Sequence, residues 1–221
     1  MFDKDKYIQK LIRLLEAAYG ERLLYVGLQG SYLRGEATAD SDLDIMVVVE
    51  KLSVRDLAEY RKAISSLEDY DKSCGFICGR EELQNWNPLE ICHVLHTTKD
   101  YYGTLAEWIP AYTEEDVRNY VKLSLNNLYH EICHRYIHAP REKNEVKIAC
   151  SCKAVFFILQ NMHYLDSGVF VCTKKELSSM LKGKDRLVMD AAIALSGGES
   201  FDFDEVFALL FSWCQEAIKR V

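Results

Sequence analysis

The stretch from residue 30 to residue 49 decides the fold and reads GSYLRGEATADSDLDIMVVV. Gly30 and Ser31 follow a short apolar run, RLLYVGL, and ten residues separate them from the pair Asp42 and Asp44, which leads into the run IMVVV. Apolar runs of this length, rich in β-branched residues and bounded by glycine and polar residues, are typical of buried strands. We therefore predict a strand, a polar connection and a second strand with two carboxylates at its head.

The two carboxylates are predicted to converge on one spot. Successive side chains of a strand alternate between its faces, so Asp42 and Asp44 point to the same side. Two like charges held close together are unfavourable unless a cation lies between them, and hard oxygen ligands suit Mg²⁺. Upstream, Gly30 lets the backbone approach a phosphate without a Cβ, and the Ser31 hydroxyl can hydrogen-bond phosphate oxygens. The pattern indicates metal-assisted phosphoryl transfer.

An alternative interpretation is a solvated acidic turn before a strand, formed by Asp40, Asp42 and Asp44. Asp44 argues against it, because a carboxylate leading directly into IMVVV would be half-buried without compensation.

These residues resemble the signature of the polymerase-beta-like nucleotidyltransferase superfamily, which is a Gly-Ser, a spacer of about this length and then Asp-hydrophobic-Asp-hydrophobic. The motif is most similar to the bacterial small-molecule branch, which includes aminoglycoside and lincosamide nucleotidyltransferases. The resemblance implies that Gly30 and Ser31 hold a nucleoside triphosphate, with ATP the expected donor, and that Asp42 and Asp44 hold Mg²⁺. The implied reaction moves a nucleoside monophosphate onto a hydroxyl of a small-molecule acceptor such as an aminoglycoside- or lincosamide-like compound.

The sequence departs from that family at the third carboxylate. Family members usually carry this acid on a neighbouring strand, but the next predicted strand, SCGFIC, contains none. Asp71 precedes it, and Glu81 and Glu82 follow it, so these acids are candidates for the catalytic base. We expect Asp71 to be better placed if this strand is antiparallel to DIMVVV, and Glu81 if the two strands are parallel.

Two basic residues are candidates for contacts with the nucleotide. Arg34 lies in the connection between the first two strands, and the resemblance implies a basic residue from the helical part of the chain, for which Lys153 or Lys147 is available. A lysine that extends its ammonium group to solvent is the competing interpretation for Lys153.

The rest of the sequence predicts an α+β protein, with a small mixed-sheet nucleotidyltransferase domain at 1–109 followed by an all-helical bundle at 110–221. Apolar residues recur at helical spacing from Tyr7 to Ala18 and from Val54 to Leu67. Pro110 marks the boundary. Beyond it, five segments have helical patterns: 114–137, 145–165, 174–181, 184–195 and 203–221.

The composition indicates which partners and which compartment to expect. The 221 residues carry a formal charge of −7, which disfavours nucleic acid as a partner and favours a small acceptor. The 8 cysteines lack paired CxxC spacing, which favours reduced thiols in the cytoplasm. No apolar run is long enough to span a membrane, and the oligomeric state cannot be read from the sequence.

Three histidines share one predicted helix face. His130, His134 and His138 follow each other at intervals of four residues. Eight residues of helix extend over about 12 Å, too far for all three rings to bind one ion. We expect a partly buried helix face here and no metal site.

A non-catalytic function is the alternative to an enzyme. The missing third carboxylate would fit a degenerate nucleotide-binding protein or an antitoxin-like nucleotidyltransferase. The resemblance does not extend to the helical ribonuclease toxins that pair with such antitoxins, because no histidine here has an arginine four to six residues before it.

Overall fold

The computed structural model describes residues 2–221 and divides into two compact units. The first unit ends at Tyr112, and the second spans Thr113–Val221. The boundary predicted from Pro110 lies three residues before this division. No helix within residues 2–221 combines the length and the apolar character needed to cross a membrane.

The first unit contains all four strands and five α-helices. In chain order these are α1 (Lys4–Tyr19), β1 (Leu23–Leu28), α2 (Gly30–Arg34), β2 (Leu43–Val49), α3 (Val54–Ser65), β3 (Ser73–Gly79), α4 (Arg80–Gln84), α5 (Pro88–His96) and β4 (Lys99–Tyr102). The strands join in one sheet of order β3-β2-β1-β4. Strand β1 is antiparallel to β2 and β4, whereas β2 is parallel to β3. The sheet is mixed, as predicted.

Capping side chains fix the starts of α1 and α3, which both pack on one face of this sheet. The Asp3 carboxylate accepts a hydrogen bond from the Lys6 backbone N–H at the start of α1, and Gly20 ends the helix with a φ of 56°. Ser53 and Asp56 form a capping box at the start of α3. Helix α3 then connects the parallel strands β2 and β3, as a parallel pair requires.

Side chains alternate between two apolar layers. Leu43, Ile45 and Val47 face the layer that contains α1, whereas Met46 and Val48 face a second, smaller layer on the other side of the sheet. That second layer includes Leu83 of α4 and Leu105, with Val94 of α5 packed against them. By alternation, Asp44 lies on the face of Met46 and Val48.

The second unit is all-helical. Its helices are α6 (Glu114–His138), α7 (Arg141–Ser167), α8 (Lys174–Met180), α9 (Gly183–Ser196) and α10 (Phe203–Arg220). Thr113 and Asp116 form a capping box at the start of α6, and the core includes the fully buried Trp213 and Phe156. The predicted fold class, a small mixed-sheet unit followed by helices, is confirmed.

The histidine stripe on α6 is exposed. The ring centroids of His130 and His134 lie 6.0 Å apart, and those of His134 and His138 lie 4.8 Å apart. All three residues are exposed, so the expectation of a partly buried face is wrong. Among the described residues, no group of three or more His, Cys, Asp or Glu side chains is arranged to hold a metal ion.

Candidate active site

The two halves of the motif meet at Gly30 and Asp44. The backbone N–H of Gln29 donates to the Asp44 carbonyl oxygen at 2.8 Å, which ties the end of β1 to the start of β2. Gly30 then opens α2 with a φ of 69°, a left-handed conformation that favours glycine. A Cβ added to Gly30 would lie 1.8 Å from Asp44 Oδ2. The Gly30 backbone therefore packs directly against the Asp44 carboxylate.

Asp42 and Asp44 provide two carboxylates at the head of β2. Asp42 is exposed and Asp44 is half-buried. Both act electrostatically on the same neighbour, the Cys74 thiol, which indicates that they lie on the same side. No Lys, Arg or His among residues 2–221 forms an ion pair with either carboxylate.

The donor set of this pair fits a magnesium ion. Mg²⁺ is commonly bound by one or two carboxylates, and it completes its octahedron with substrate phosphates and water. Two neighbouring carboxylates without a protein cation leave a negative charge that such an ion can neutralise. Asp42 and Asp44 are therefore the residues that would hold it.

Cys74 occupies the position on β3 that faces Asp44. The parallel register pairs Asp44 with Cys74, and neighbouring strands lie about 4.8 Å apart. Partial desolvation raises the pKa of the Cys74 thiol, and the carboxylates of Asp44 and Asp42 raise it further. A neutral thiol thus takes the place beside Asp44 where a third carboxylate on β3 would lie.

The three candidate bases, Asp71, Glu81 and Glu82, flank β3 and do not lie on it. The charge of Asp71 helps to raise the pKa of Tyr7, which is otherwise raised by burial, so Asp71 lies near that hydroxyl on the α1 side of the sheet. Glu81 lies on α4, beyond the far end of β3. Five residues of strand separate Cys74 from the end of β3, a distance of about 16 Å.

The parallel direction of β2 and β3 also contradicts one part of the prediction for the base. Because β2 and β3 are parallel, both strands begin at the same edge of the sheet. The residue before β3, Asp71, is therefore nearer to Asp42 along the strands than Glu81, which follows β3. The expectation that a parallel pair favours Glu81 is wrong.

Arg34 ends α2 in an ion pair. Its Nε lies 2.9 Å from Glu36 Oε2, and the two side chains are only 14% and 25% exposed. Burial and, to a smaller extent, the positive charge of the nearby Arg34 lower the pKa of His93 on α5 to about 4. Ser31, in the first turn of α2, is half-exposed. Lys153 is exposed on α7 of the second unit.

Several polar residues on the same face of the sheet as Asp44 belong to no recognisable sequence motif. Gln29 Nε2 donates to Thr98 Oγ1 at 2.8 Å, and the Tyr25 hydroxyl donates to Asp100 Oδ1 at 2.6 Å. Asp100 lies on β4, whose short and charged sequence KDYY does not stand out as a strand. Only the two tyrosines that follow Asp100 favour a strand here, and nothing in the sequence indicates which face of the sheet Asp100 lies on.

The first unit matches a family model. Residues 8–91 match the model described as "Nucleotidyltransferase domain". The matched region begins in α1 and ends in α5, so it contains Gly30, Asp42 and Asp44. Residues 8–91 are therefore similar to a nucleotidyltransferase domain. The prediction of a nucleotidyltransferase domain is confirmed for this part of the chain.

One solved structure resembles this nucleotidyltransferase over its whole length. It is described as spectinomycin adenyltransferase AAD(9) from Enterococcus faecialis with ATP and spectinomycin. The identity is 18%, the TM-score is 0.59, and the alignment covers 97% of this chain and 98% of the other. At this identity the similarity establishes a shared fold.

Two further solved structures match only part of the nucleotidyltransferase. A toxin-antitoxin with AMP-PNP aligns with 58% of this chain and 92% of the other at 21% identity, with a TM-score of 0.33. The toxin-antitoxin MntA-HpeT aligns with 62% and 94% at 24% identity, with a TM-score of 0.32. No curated protein shows significant sequence similarity to this chain.

Proposed function

We propose that this nucleotidyltransferase moves a nucleoside monophosphate from ATP to a hydroxyl of a small-molecule acceptor, with Mg²⁺ held by Asp42 and Asp44. The contact between Gly30 and Asp44 carries the proposal. Through this contact, the backbone that is proposed to approach the triphosphate lies directly against a carboxylate that is proposed to bind the metal. One other acid of the first unit packs against a glycine in this way, since a Cβ added to Gly79 would lie 2.2 Å from Glu82 Oε2. That glycine ends β3, at the opposite edge of the sheet from the start of β2.

In the proposed reaction, the acceptor oxygen forms a bond to the α-phosphorus of the triphosphate, and the bond from that phosphorus to pyrophosphate breaks. A bound Mg²⁺ would neutralise the phosphate charge during this transfer. The Ser31 hydroxyl would donate a hydrogen bond to a phosphate oxygen, and Gly30 lets the start of α2 lie directly against the Asp44 carboxylate.

The acceptor hydroxyl must also lose a proton. Because β3 places a thiol beside Asp44, the exposed Asp42 carboxylate is the protein group that we propose to accept it. Asp71 and Glu81 remain the alternatives that the sequence predicted. We also propose, from the sequence, that Arg34 and Lys153 contact the nucleotide. The Glu36 carboxylate neutralises part of the charge of Arg34.

Two observations support a small acceptor, and a third concerns the compartment. The formal charge of −7 opposes contact with a polyanion. The structure with the same fold over its whole length is named for transfer to spectinomycin, a small hydroxylated compound. All eight cysteines lie in the described residues and none forms a disulfide, which fits a cytoplasmic reaction with ATP. We therefore propose an aminoglycoside- or lincosamide-like hydroxyl compound as the acceptor.

Calorimetry of ATP binding tests the metal assignment. We expect wild type to bind ATP only with Mg²⁺, and the double variant Asp42→Asn with Asp44→Asn to lose this binding, because neutral amides cannot hold the ion. Asp40→Asn is the matched control, since Asp40 is an exposed acid of the same loop. ATP binding by the double variant that equals that of wild type would refute the assignment.

Cys74 favours a second candidate function, nucleotide binding without transfer. With a thiol opposite Asp44, the metal lacks a third protein carboxylate. A degenerate or antitoxin-like protein would bind ATP with Mg²⁺ and release no pyrophosphate with any acceptor. Pyrophosphate release in the presence of an acceptor therefore separates the two functions.

A further inference from the structure

A tight turn at residues 38–41 leads directly into Asp42 at the head of β2. The Ser41 backbone N–H donates to the Thr38 carbonyl oxygen at 3.2 Å, and the Thr38 backbone N–H donates to Ser41 Oγ at 2.9 Å. These two hydrogen bonds define the shape of the turn. Because Asp42 follows the turn immediately, the position of the turn decides where the Asp42 carboxylate lies.

Apolar packing does little to hold this turn in place. Thr38 and Ala39 are exposed, and both line a cavity of about 1000 Å³ whose lining also includes Phe2 and Tyr32. A cavity offers no partner atoms for van der Waals contact, so the residues that line it gain little from dispersion on that side. The turn therefore depends on polar contacts for its position.

Lys72 supplies such a polar contact from the short 3₁₀ helix that precedes β3. Its Nζ donates to the Ala39 carbonyl oxygen at 2.7 Å, and the same atom lies 6.0 Å from the centroid of the Phe2 ring. Among the hydrogen bonds of residues 2–221, this one alone joins the turn to another segment of the chain. The position of the turn thus depends on one lysine.

The strand register places Lys72 at the same edge of the sheet as Asp42. Leu43 pairs with Ser73 at the start of the parallel strands β2 and β3. Asp42 and Lys72 immediately precede these two residues, and neighbouring strands lie about 4.8 Å apart. Within the described part of the chain, Lys72 nevertheless forms no ion pair with Asp42 or with any other acid. Its ammonium group bonds the backbone of the turn instead.

We propose that Lys72 is a positioning residue for the metal site, which holds the turn, and with it the Asp42 carboxylate, through the hydrogen bond to Ala39. This inference rests on the proposed function, because that function assigns Asp42 to Mg²⁺. The ion demands near-octahedral geometry with ligands about 2.1 Å away, so a displaced carboxylate binds it less well. Loss of one hydrogen bond should weaken metal binding by about two- to tenfold.

The competing explanation is that Lys72 acts only through its charge. The two explanations predict effects of opposite sign on the binding of a free cation. Removal of a positive charge near Asp42 would strengthen this binding, whereas release of the turn would weaken it. Lys72→Met removes both the donor and the charge, and Lys72→Arg retains both. Lys4→Met is a matched control, because Lys4 lines the same cavity but bonds Asp5 of its own helix.

Titration of the protein with Mn²⁺, without nucleotide, tests the proposal. Mn²⁺ takes the same carboxylate ligands as Mg²⁺, and the EPR signal of the free ion reports how much of it remains unbound. We expect wild type, Lys4→Met and Lys72→Arg to bind the ion with the same Kd, and Lys72→Met to bind it about two- to tenfold more weakly. Asp42→Asn with Asp44→Asn should show no saturable binding.

Binding by Lys72→Met that is as tight as in wild type, or tighter, would overturn the proposal, and so would a loss of the same size in Lys4→Met or Lys72→Arg. Thermal melting without metal verifies that each variant is folded, and if Lys72→Met does not fold, Lys72→Leu takes its place with the same expected result. The proposed function fails in a different way, since wild type would then bind no Mn²⁺, or would release no pyrophosphate from ATP with any acceptor.

Discussion

At the scale of single residues, two glycines shape this face of the sheet because their missing side chains leave room for neighbouring groups. Gly30 leaves the space that the Asp44 carboxylate fills, and Gly27 leaves the space that the Tyr25 phenol fills. The sequence predicts that Gly30 allows a close approach to a phosphate, but it does not predict the contact between Gly30 and Asp44. It could not predict the contact at Gly27, because this contact joins residues 25, 27 and 100 through a strand pairing that no local pattern encodes.

Gly30→Ala should abolish metal-dependent ATP binding and destabilise the fold by roughly 1–3 kcal/mol. The added methyl group would both strain a positive φ and displace the Asp44 carboxylate. Gly35→Ala is the matched control, since Gly35 has a φ of 70° but nothing within 4 Å of its added Cβ. Urea denaturation should show a comparable backbone penalty in both variants. Retention of ATP binding by Gly30→Ala would contradict the account.

Cys74→Asp should convert the two-carboxylate site into one with three. Three negative charges repel each other without a cation, so we expect the melting temperature to fall in a chelator and to recover with Mg²⁺. Cys74→Asn, of the same shape but uncharged, should show no such dependence on Mg²⁺. Melting curves of the two variants that respond equally to Mg²⁺ would show that residue 74 does not face the ion.

At the scale of elements, the long segments could be predicted and the short ones could not. Helix α1 and strand β2 follow from clear apolar patterns, and both lie within one or a few residues of their predicted bounds. Helix α2 has five residues, too few for a helical period, and it was read as a polar connection. The sequence does not predict helix α5 or strand β4 either. In β4, the sequence KDYY lacks the alternation of apolar and polar residues that identifies a strand.

The direction of β3 was available from the sequence. Residues 54–67 were predicted as a helix between two strands, and a helical crossover favours a parallel pair. The observed parallel register then brings the start of β3 to the start of β2. Cys74 therefore lies beside Asp44.

The buried His93 of α5 should make stability depend on pH. Its pKa falls from 6.5 to about 4 in the folded state, chiefly through burial. Between these values the unfolded chain binds a proton that the folded chain does not, so stability should decrease as the pH falls from 6.5 to 4, by about 3 kcal/mol. His93→Gln should flatten this part of the profile in urea denaturation. An unchanged slope would contradict the assignment, and above pH 7 the two curves should run parallel.

At the scale of the whole molecule, a nucleotidyltransferase domain precedes a helical unit of similar size. The sequence predicted this organisation because the apolar period changes from mixed to purely helical after Pro110. The acceptor could not be predicted, since its recognition depends on side chains that only the tertiary structure brings together. Similarity of fold at 18% identity does not supply that information either.

The central claim is that Asp42 and Asp44 support nucleotide transfer to a small hydroxyl compound. The most direct measurement incubates the protein with Mg²⁺, ATP labelled at the α-phosphate and spectinomycin or another aminocyclitol, and follows the label into the acceptor. We expect wild type and Asp40→Asn to transfer the label with release of pyrophosphate, and Asp42→Asn with Asp44→Asn to transfer none. Equal transfer by the double variant, or ATP binding by wild type without transfer to any acceptor offered, would contradict the account.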